Sequence, residues 1–246
     1  MLSGTNNLTK FNGRNQLIWM ALAFQAGAVN SGAFMACHRF VTHTTGFATQ
    51  FGAEFASGNL WSAWGMLTVP FFFMAGSMFS AVFVDRRISH NLKPNYELLI
   101  FVVGLLLIAV ACAGASGSLG KFGGTDDAFS DYLFLAILSL AMGIQNASIT
   151  SASGAVIRTT HLTGITTDLG IGLVRILSPG SLRQQRPEEI HKALIRSSLI
   201  FAFVLGSTLA AFIFLKTQFW GFLLPAGTSL LLLIFARRSG RKDIEA

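Results

Sequence analysis

Charged side chains are scarce in this chain: Asp, Glu, Lys and Arg together make up 12% of its 246 residues. An ordinary soluble domain carries roughly 25% charged residues. Apolar residues instead reach 52%, and the mean hydropathy is +0.58. The shortage of charge excludes an ordinary soluble protein and indicates a membrane protein.

Cysteine is also scarce, and the common catalytic motifs are missing. Cys37 and Cys112 are the two cysteines, and their spacing fits neither a disulfide framework nor a metal site. The chain has no HxxxH pair and no carboxylates at metal-ligand spacing. It also lacks a nucleophile elbow, a phosphate-binding loop and a dinucleotide fingerprint. We therefore expect no metal, no cofactor and no enzymatic activity.

Long apolar stretches are what the sequence has in abundance. A transmembrane helix needs about 20 apolar residues, and six stretches of this kind lie near residues 17–37, 62–84, 97–118, 131–152, 195–215 and 217–236. The first stretch begins too far from the N-terminus to be a removable signal peptide. It also lacks the small-residue cleavage site of such a peptide. We predict an all-α, polytopic membrane protein with six transmembrane helices in a single membrane domain, residues 1–246.

The basic residues are unevenly distributed along the chain. If the N-terminus is cytoplasmic, fifteen of the eighteen Lys and Arg residues fall in inner segments, and Arg39, Lys121 and Lys216 remain outside. This bias follows the positive-inside rule and predicts that both termini are cytoplasmic. The net charge of +7 is therefore explained by orientation and by anionic lipid head groups. We expect the lipid bilayer, and no nucleic acid, as a partner.

A short pattern occurs twice. The first copy reads Gly27-Ala-Val-Asn30, then Thr42-His-Thr-Thr-Gly46, then Gly52. The second reads Gly143-Ile-Gln-Asn146, then Thr160-His-Leu-Thr-Gly164, then Gly170. Further along, the pair Gly76-Ser77 matches Gly206-Ser207. The chain is therefore interpreted as a duplication, with repeat one at residues 15–118 and repeat two at residues 131–237.

Each repeat contains three predicted spans, so the second must enter the membrane from the side opposite to the first. Such inverted repeats are typical of secondary transporters, whose solute site lies near the bilayer midplane. The second repeat is longer mainly through the basic loop between Ser178 and Arg196. Pro187 near its middle predicts the first turn of a short surface helix that leads into the fifth span.

Two segments are apolar but broken by glycine and polar residues, near 41–58 and 159–177. We predict that each is a broken or re-entrant half-helix, because irregular backbone at membrane depth must face protein or water. Their N-termini, near His43 and His161, would carry partial positive charge. An anion or a carboxylate-bearing solute is expected to bind there.

The candidate solute-binding residues all come from the two motifs, and each also has a packing interpretation. Asn30 and Asn146 either contact solute or join helices. His43 and His161 are candidates for proton or solute chemistry, or for helix caps. Asp168 matches Gln50 in register and either pairs with Arg158, Arg175 or His161 or forms a cation or proton site. The full set is Asn30, His43, Thr44, Gly46, Gln50, Asn146, Thr160, His161, Thr163, Gly164 and Asp168.

The run from Arg158 through Thr-Thr-His161-Leu-Thr-Gly164-Ile-Thr-Thr-Asp168 to Gly170, with the earlier Gly27–Asn30 and Val41–Gly46 segments, resembles the YoaK-like bacterial membrane proteins. These form domain-of-unknown-function family 1275. The resemblance covers residues from about 15 to 237. It implies a six-span protein of the bacterial inner membrane, and it supplies no substrate, activity or catalytic residue.

Three functions are compatible with these observations. The first is a secondary transporter or permease for a small solute, with its site between the repeats. The second is a structural or accessory membrane protein whose motifs pack helices. The third, an intramembrane enzyme with His43, His161 and Asp168 as its acid and base groups, lacks an arranged nucleophile. A homodimer is compatible with a bundle of this size, and the sequence gives no evidence for one.

Overall fold

The computed structural model describes residues 13–124, 129–154, 159–178 and 186–242, with side chains as far as residue 238. Within these ranges every regular element is a helix, and no strand is present. The helices are α1 (Gly13–Cys37), α2 (Thr44–Ala56), α3 (Leu60–Met66), α4 (Thr68–Phe83), α5 (Asp85–Ser89), α6 (Tyr96–Ala115), α7 (Phe129–Ala152), α8 (Leu162–Leu177), α9 (Arg186–Thr217) and α10 (Leu223–Lys242). A 3₁₀ helix, Gln218–Phe222, joins α9 to α10. The predicted all-α class is confirmed.

Five helical stretches of the described chain are long and apolar enough to cross a membrane: Gly13–Cys37, Leu60–Ser89, Tyr96–Ala115, Phe129–Ala152 and Arg186–Arg238. The chain is therefore a multi-pass membrane protein. The sequence predicts six spans, one more than these five stretches. The fifth and sixth predicted spans both fall in the last stretch. Its 53 residues run through α9, the 3₁₀ helix and α10, so no loop separates the fifth predicted span from the sixth.

The basic loop before the fifth span contains no separate surface helix among its described residues. Pro187 lies in the first turn of α9, as predicted, but this helix continues without a break for 32 residues to Thr217. Residues 179–185 of the loop lie outside the described part of the chain. The predicted short surface helix does lead into the fifth span, but as the first turns of α9 rather than as a separate element, because Ile190, Ala193 and Leu194 continue the helical pattern directly into the apolar segment.

Two helix pairs make the most extensive contacts in the molecule, α1 with α9 and α4 with α7. Glycine makes both possible. A Cβ built on Gly27 would collide with the carbonyl oxygen of Phe203, and one on Gly206 with that of Phe24. The α4–α7 pair has the same arrangement, with Gly143 against the Phe73 carbonyl and Gly76 against the Leu140 carbonyl. Backbones that approach this closely are typical of small-residue contacts between membrane helices.

Each of these pairs joins one helix of the first half to one helix of the second, and its two helices run parallel. In α1 and α9, Gln16 donates to Ser198 near the start of the contact, and Gly32 meets Phe214 near its end. α7 runs in the opposite direction to α1. Gln145 of α7 donates to the Leu22 carbonyl of α1, whereas Gly32 of α1 and Phe134 of α7 both contact Phe222.

The two short helices that follow the motifs lie outside these pairs. α2 packs against α3, and α8 packs against α9. Both occupy the positions at which the sequence predicts half-helices. The two half-helices therefore have different neighbours, a short helix for α2 and the long helix α9 for α8.

Candidate functional site

The first residue before each half-helix is a histidine. His43 precedes α2 with φ −99° and ψ 65°, and His161 precedes α8 with φ −103° and ψ 58°. Neither side chain makes a capping hydrogen bond. The interpretation of these histidines as side-chain caps is therefore wrong, although both helices begin where the sequence predicts.

Both imidazole rings instead fold back over the first turn of their helix, above a glycine. A Cβ on Gly46 would lie 2.8 Å from His43 Nδ1, and a Cβ on Gly164 would lie 2.9 Å from His161 Nδ1. Real Cβ atoms essentially never come closer than 3.0 Å to another heavy atom. Each imidazole ring therefore packs against the glycine three residues later, where any side chain would collide with it. This contact explains the repeated His-x-x-Gly spacing.

Gly46→Ala and Gly164→Ala are expected to displace the adjacent histidine ring while leaving the helices folded. The collision involves a side chain that can move, and alanine favours a helix interior over glycine by about 1 kcal/mol. NMR of ¹⁵N-labelled histidine, with signals assigned by His→Gln variants, should show a shifted imidazole in each variant. Gly52→Ala and Gly170→Ala are matched controls, because a Cβ at either position meets open space. An unchanged His161 signal in Gly164→Ala would contradict this geometry.

The two asparagines hold the turns that carry the histidines. Asn30 Oδ1 accepts hydrogen bonds from the backbone N–H groups of Val41, at 3.1 Å, and Thr42, at 3.3 Å. Asn146 Oδ1 accepts one from the Thr160 hydroxyl, at 2.9 Å. The Asn30 side chain therefore has a structural role, since it stabilises the turn before α2. Asn146 instead binds Thr160, whose side chain also faces open space.

That open space is a cleft of about 370 Å³, in which the two motifs meet. Thr42 and Thr44 reach it from the first motif, and Asn146, Thr160 and His161 from the second. Its other lining residues are Phe73, Ser77, Ala147, Thr150 and Ser151. Eight of these ten side chains carry a hydroxyl, an amide or an imidazole, so the cleft is suited to a solute that forms hydrogen bonds.

None of the lining residues is an Asp, Glu, Lys or Arg. The Ser151 hydroxyl donates to Asp85 Oδ2 at 3.0 Å, which places one carboxylate beside the cleft. The uncharged hydroxyl, amide and imidazole groups favour a neutral or weakly charged polar solute. They give less support to the strongly anionic solute that the helix N-termini alone suggest.

The cleft contains four of the predicted site residues: Thr44, Asn146, Thr160 and His161. The other seven lie outside its lining. Asn30 holds a turn, while His43, Gln50, Thr163 and Asp168 are exposed. Gly46 and Gly164 lie beneath the histidine rings. Sequence reasoning missed Thr42, Ser77, Thr150 and Ser151, although Ser77 was visible as part of the repeated Gly-Ser pair.

Asp168 pairs with Arg196, which the sequence did not suggest as its partner. Arg196 Nη2 lies 3.8 Å from Asp168 Oδ2, and Nη1 donates to the Asp168 carbonyl at 3.1 Å. Of the predicted partners, Arg158 lies outside the described residues. Arg175 instead contacts Glu189, since Asp168 and Arg175 lie along the face of α8 that packs on α9.

Glu189 is the centre of this contact between α8 and α9, and it is only 3% exposed. Lys192 Nζ lies 3.3 Å from its carboxylate, Arg175 Nη1 3.4 Å and Arg196 Nη1 3.9 Å. Gly172 of α8 makes room for it, because a Cβ there would lie 3.1 Å from Glu189 Oε2. These ion pairs fix α8, and with it His161, on the long helix α9.

The described residues contain no group of three His, Cys, Asp or Glu side chains placed to hold a metal ion. Cys37 is buried at the end of α1 and Cys112 is exposed on α6, and no disulfide joins them. Neither cysteine lines the cleft.

A family model described as a protein of unknown function, DUF1275, matches residues 18–235. No curated protein and no solved structure matches the chain. Because the match spans most of the sequence, including both motifs, the chain belongs to the DUF1275 family of proteins of unknown function.

Proposed function

We propose that the protein has six transmembrane spans arranged as two inverted three-helix repeats. The paired glycine contacts support this, because Gly27 and Gly206 in one pair correspond to Gly143 and Gly76 in the other. The opposite directions of α1 and α7 support the inversion. α9 and α10 are then two spans, separated by the turn at Gln218, whose φ is +49°.

The membrane we propose is the bacterial inner membrane, with both termini in the cytoplasm. The excess of Lys and Arg in the inner segments supports this orientation. The ion-paired start of α9 would then lie at the cytoplasmic surface, where Glu189 and its cationic neighbours meet the head groups.

The function that the geometry supports best is secondary transport of a small polar solute. The observation that carries it is the cleft in which the starts of both half-helices meet. A solute site between inverted repeats, lined by interrupted helices, is typical of secondary transporters. Helix packing alone accounts for the hydroxyls of Ser77, Thr150, Ser151 and Thr160, which all donate within the protein. It gives no reason for an open cleft at the point where the two motifs meet.

Transport can be tested without knowing the solute. Proteoliposomes that contain the protein are exposed to a ¹³C-labelled metabolite extract, and their contents are analysed by mass spectrometry. At least one polar solute should accumulate above the level in protein-free liposomes. Thr160→Val should lower its uptake about two- to twelvefold, because a hydrogen bond contributes about 0.5–1.5 kcal/mol and 1.4 kcal/mol is tenfold.

Thr167→Val is the matched control for that variant. The Thr167 hydroxyl donates to the Thr163 carbonyl on the exposed side of α8 and does not line the cleft, so uptake should persist. Equal loss in both variants, or no solute taken up by the unmodified protein, would argue against transport through the cleft.

A further inference from the structure

A groove of about 420 Å³ lies between α1 and α10, on the surface of the helix bundle. It is lined by Leu17 and Ala21 of α1 and by Thr228, Leu231, Phe235 and Arg238 of α10, among others. Of the nine described residues in its lining, seven are apolar and one, Arg238, is charged. None of the nine lines the cleft in which the two motifs meet, so the groove is a separate concave feature of the molecule.

The two helices that form the groove run in opposite directions. Gln25 of α1 and Ser229 of α10 exchange hydrogen bonds, at 3.0 and 3.2 Å. Arg14, near the start of α1, lies instead over the ring of Phe235, further towards the end of α10. The start of α1 and the end of α10 therefore lie at the same end of the groove.

The groove has a buried apolar floor and open apolar sides. Ile18 and Leu232 are 9% and 8% exposed, whereas Leu17 and Leu231 are 65% and 68% exposed. Exposed apolar surface of this extent is unfavourable in water, but in a membrane it contacts lipid chains. The groove is therefore suited to an apolar chain and not to the polar solute that the cleft favours.

Two guanidinium groups lie at one end of the groove. Arg238 is part of its lining, and Arg14 Cζ lies 5.2 Å from the centroid of the Phe235 ring, which lines it too. Neither arginine forms an ion pair with a described residue, whereas the adjacent Arg237 lies 3.7 Å from Glu97. Arginine binds phosphate through charge-assisted hydrogen bonds, often two at once. This end of the groove is therefore complementary in charge to an anionic head group.

The length of the groove matches one leaflet of a bilayer. From Thr228 to Arg238 an α-helix rises about 15 Å, and the hydrocarbon core of a bilayer is about 30 Å thick. A charged side chain is costly in that core, so Arg238 belongs at the head groups and Thr228 near the midplane. A phospholipid whose chain follows the groove thus brings its phosphate to the two arginines.

We propose that the groove between α1 and α10 binds one anionic phospholipid, with an acyl chain against Leu17, Leu231 and Phe235 and the phosphate between Arg14 and Arg238. The site is independent of the proposed transport, because the groove and the cleft share no lining residue. Failure to detect solute uptake would leave it unaffected.

Native mass spectrometry of the purified protein tests this site. The delipidated protein is titrated in detergent with phosphatidylglycerol or with phosphatidylcholine of the same chain length, and the complex with one lipid is quantified. Phosphatidylglycerol should bind more tightly. Arg14→Gln and Arg238→Gln should each weaken its binding about fivefold, the effect expected for one basic residue near anionic head groups. Binding of phosphatidylcholine should change little in either variant.

Arg86→Gln is the matched control for the loss of charge. Arg86 is exposed on α5, belongs to the same set of inner basic residues and does not line the groove. Its removal should leave phosphatidylglycerol binding unchanged. Equal weakening in Arg86→Gln and Arg238→Gln, or equal affinity of the unmodified protein for the two lipids, would overturn the proposed site.

Ala21→Phe tests the groove separately from its charge. A phenyl group at this position occupies the space of the acyl chain and should weaken the binding of both lipids. Ala81→Phe, at a half-buried alanine of α4 outside the groove, should leave both unchanged. Unaltered phosphatidylglycerol binding in Ala21→Phe would overturn the placement of the chain. If Ala21→Phe does not fold, the substitutions of the two exposed arginines still decide the proposal.

Discussion

Gly143→Ala is expected to unfold or severely destabilise the protein, and Gly76→Ala, Gly27→Ala and Gly206→Ala should do the same. At each position the new methyl group collides with a backbone carbonyl of the facing helix. Overpacking in a core costs typically about 1–3 kcal/mol. The cost here should lie at or above the upper end of that range, because a helix backbone moves less easily than a side chain.

The measurement is thermal unfolding of the purified variants in one detergent, combined with their yield from the membrane. Gly52→Ala and Gly170→Ala are the controls, since both lie in helices of the same motifs with open space around the Cβ. They should unfold at or slightly above the temperature of the unmodified protein. If alanine is tolerated at Gly27 or Gly143 as well as at Gly52, the close backbone contacts described for the two helix pairs do not exist.

Glu189→Ala is the second change with a large expected effect. Its removal leaves Arg175, Lys192 and Arg196 facing one another without the buried carboxylate between them. Breaking a buried ion pair by removing one partner costs about 3–5 kcal/mol. The cost here should fall below that range, because the three cationic side chains left behind are partly exposed and can be solvated. α8 should then detach from α9 before the rest unfolds.

The neighbouring residue provides the control. Glu188 also pairs with Lys192, at 2.8 Å, but its side chain is 71% exposed. Exposed ion pairs contribute about 0–1 kcal/mol, so Glu188→Ala should be nearly neutral. Hydrogen exchange of α8 should rise in Glu189→Ala and stay unchanged in Glu188→Ala. Equal effects of the two substitutions would show that burial at Glu189 has no special role.

Much of the architecture was accessible from the sequence, because membrane spans depend on the length of apolar stretches. The starts of α2 and α8 followed from the change of composition at His43 and His161. The helical connection between α9 and α10 could not be predicted, because the sequence Lys216-Thr217-Gln218 is typical of a loop. The chain nevertheless remains helical through it. The length of α9 was also hidden, since a helix that leaves the membrane no longer shows an apolar signal.

The site was predictable only in part. The repeat marked Asn146, Thr160 and His161, but it could not tell which copy of the motif faces the cleft and which holds a turn. Asn30 and Asn146 match in sequence, yet only Asn146 lines the cleft. The partner of Asp168 depends on the angle between α8 and α9, a long-range feature that no local pattern contains.

The most direct test of the central claim, that the two motifs converge on one cleft, is thiol cross-linking in native membranes. Thr44→Cys and Thr160→Cys are combined in a Cys37→Ala, Cys112→Ala background and treated with a short bifunctional thiol reagent. The control pair is Thr44→Cys with Leu177→Cys, since Leu177 lies at the far end of α8, about 22 Å along the helix from its start. The account predicts an intramolecular cross-link in the first pair and none in the second. No cross-link between positions 44 and 160, or equal cross-linking of both pairs, would contradict it.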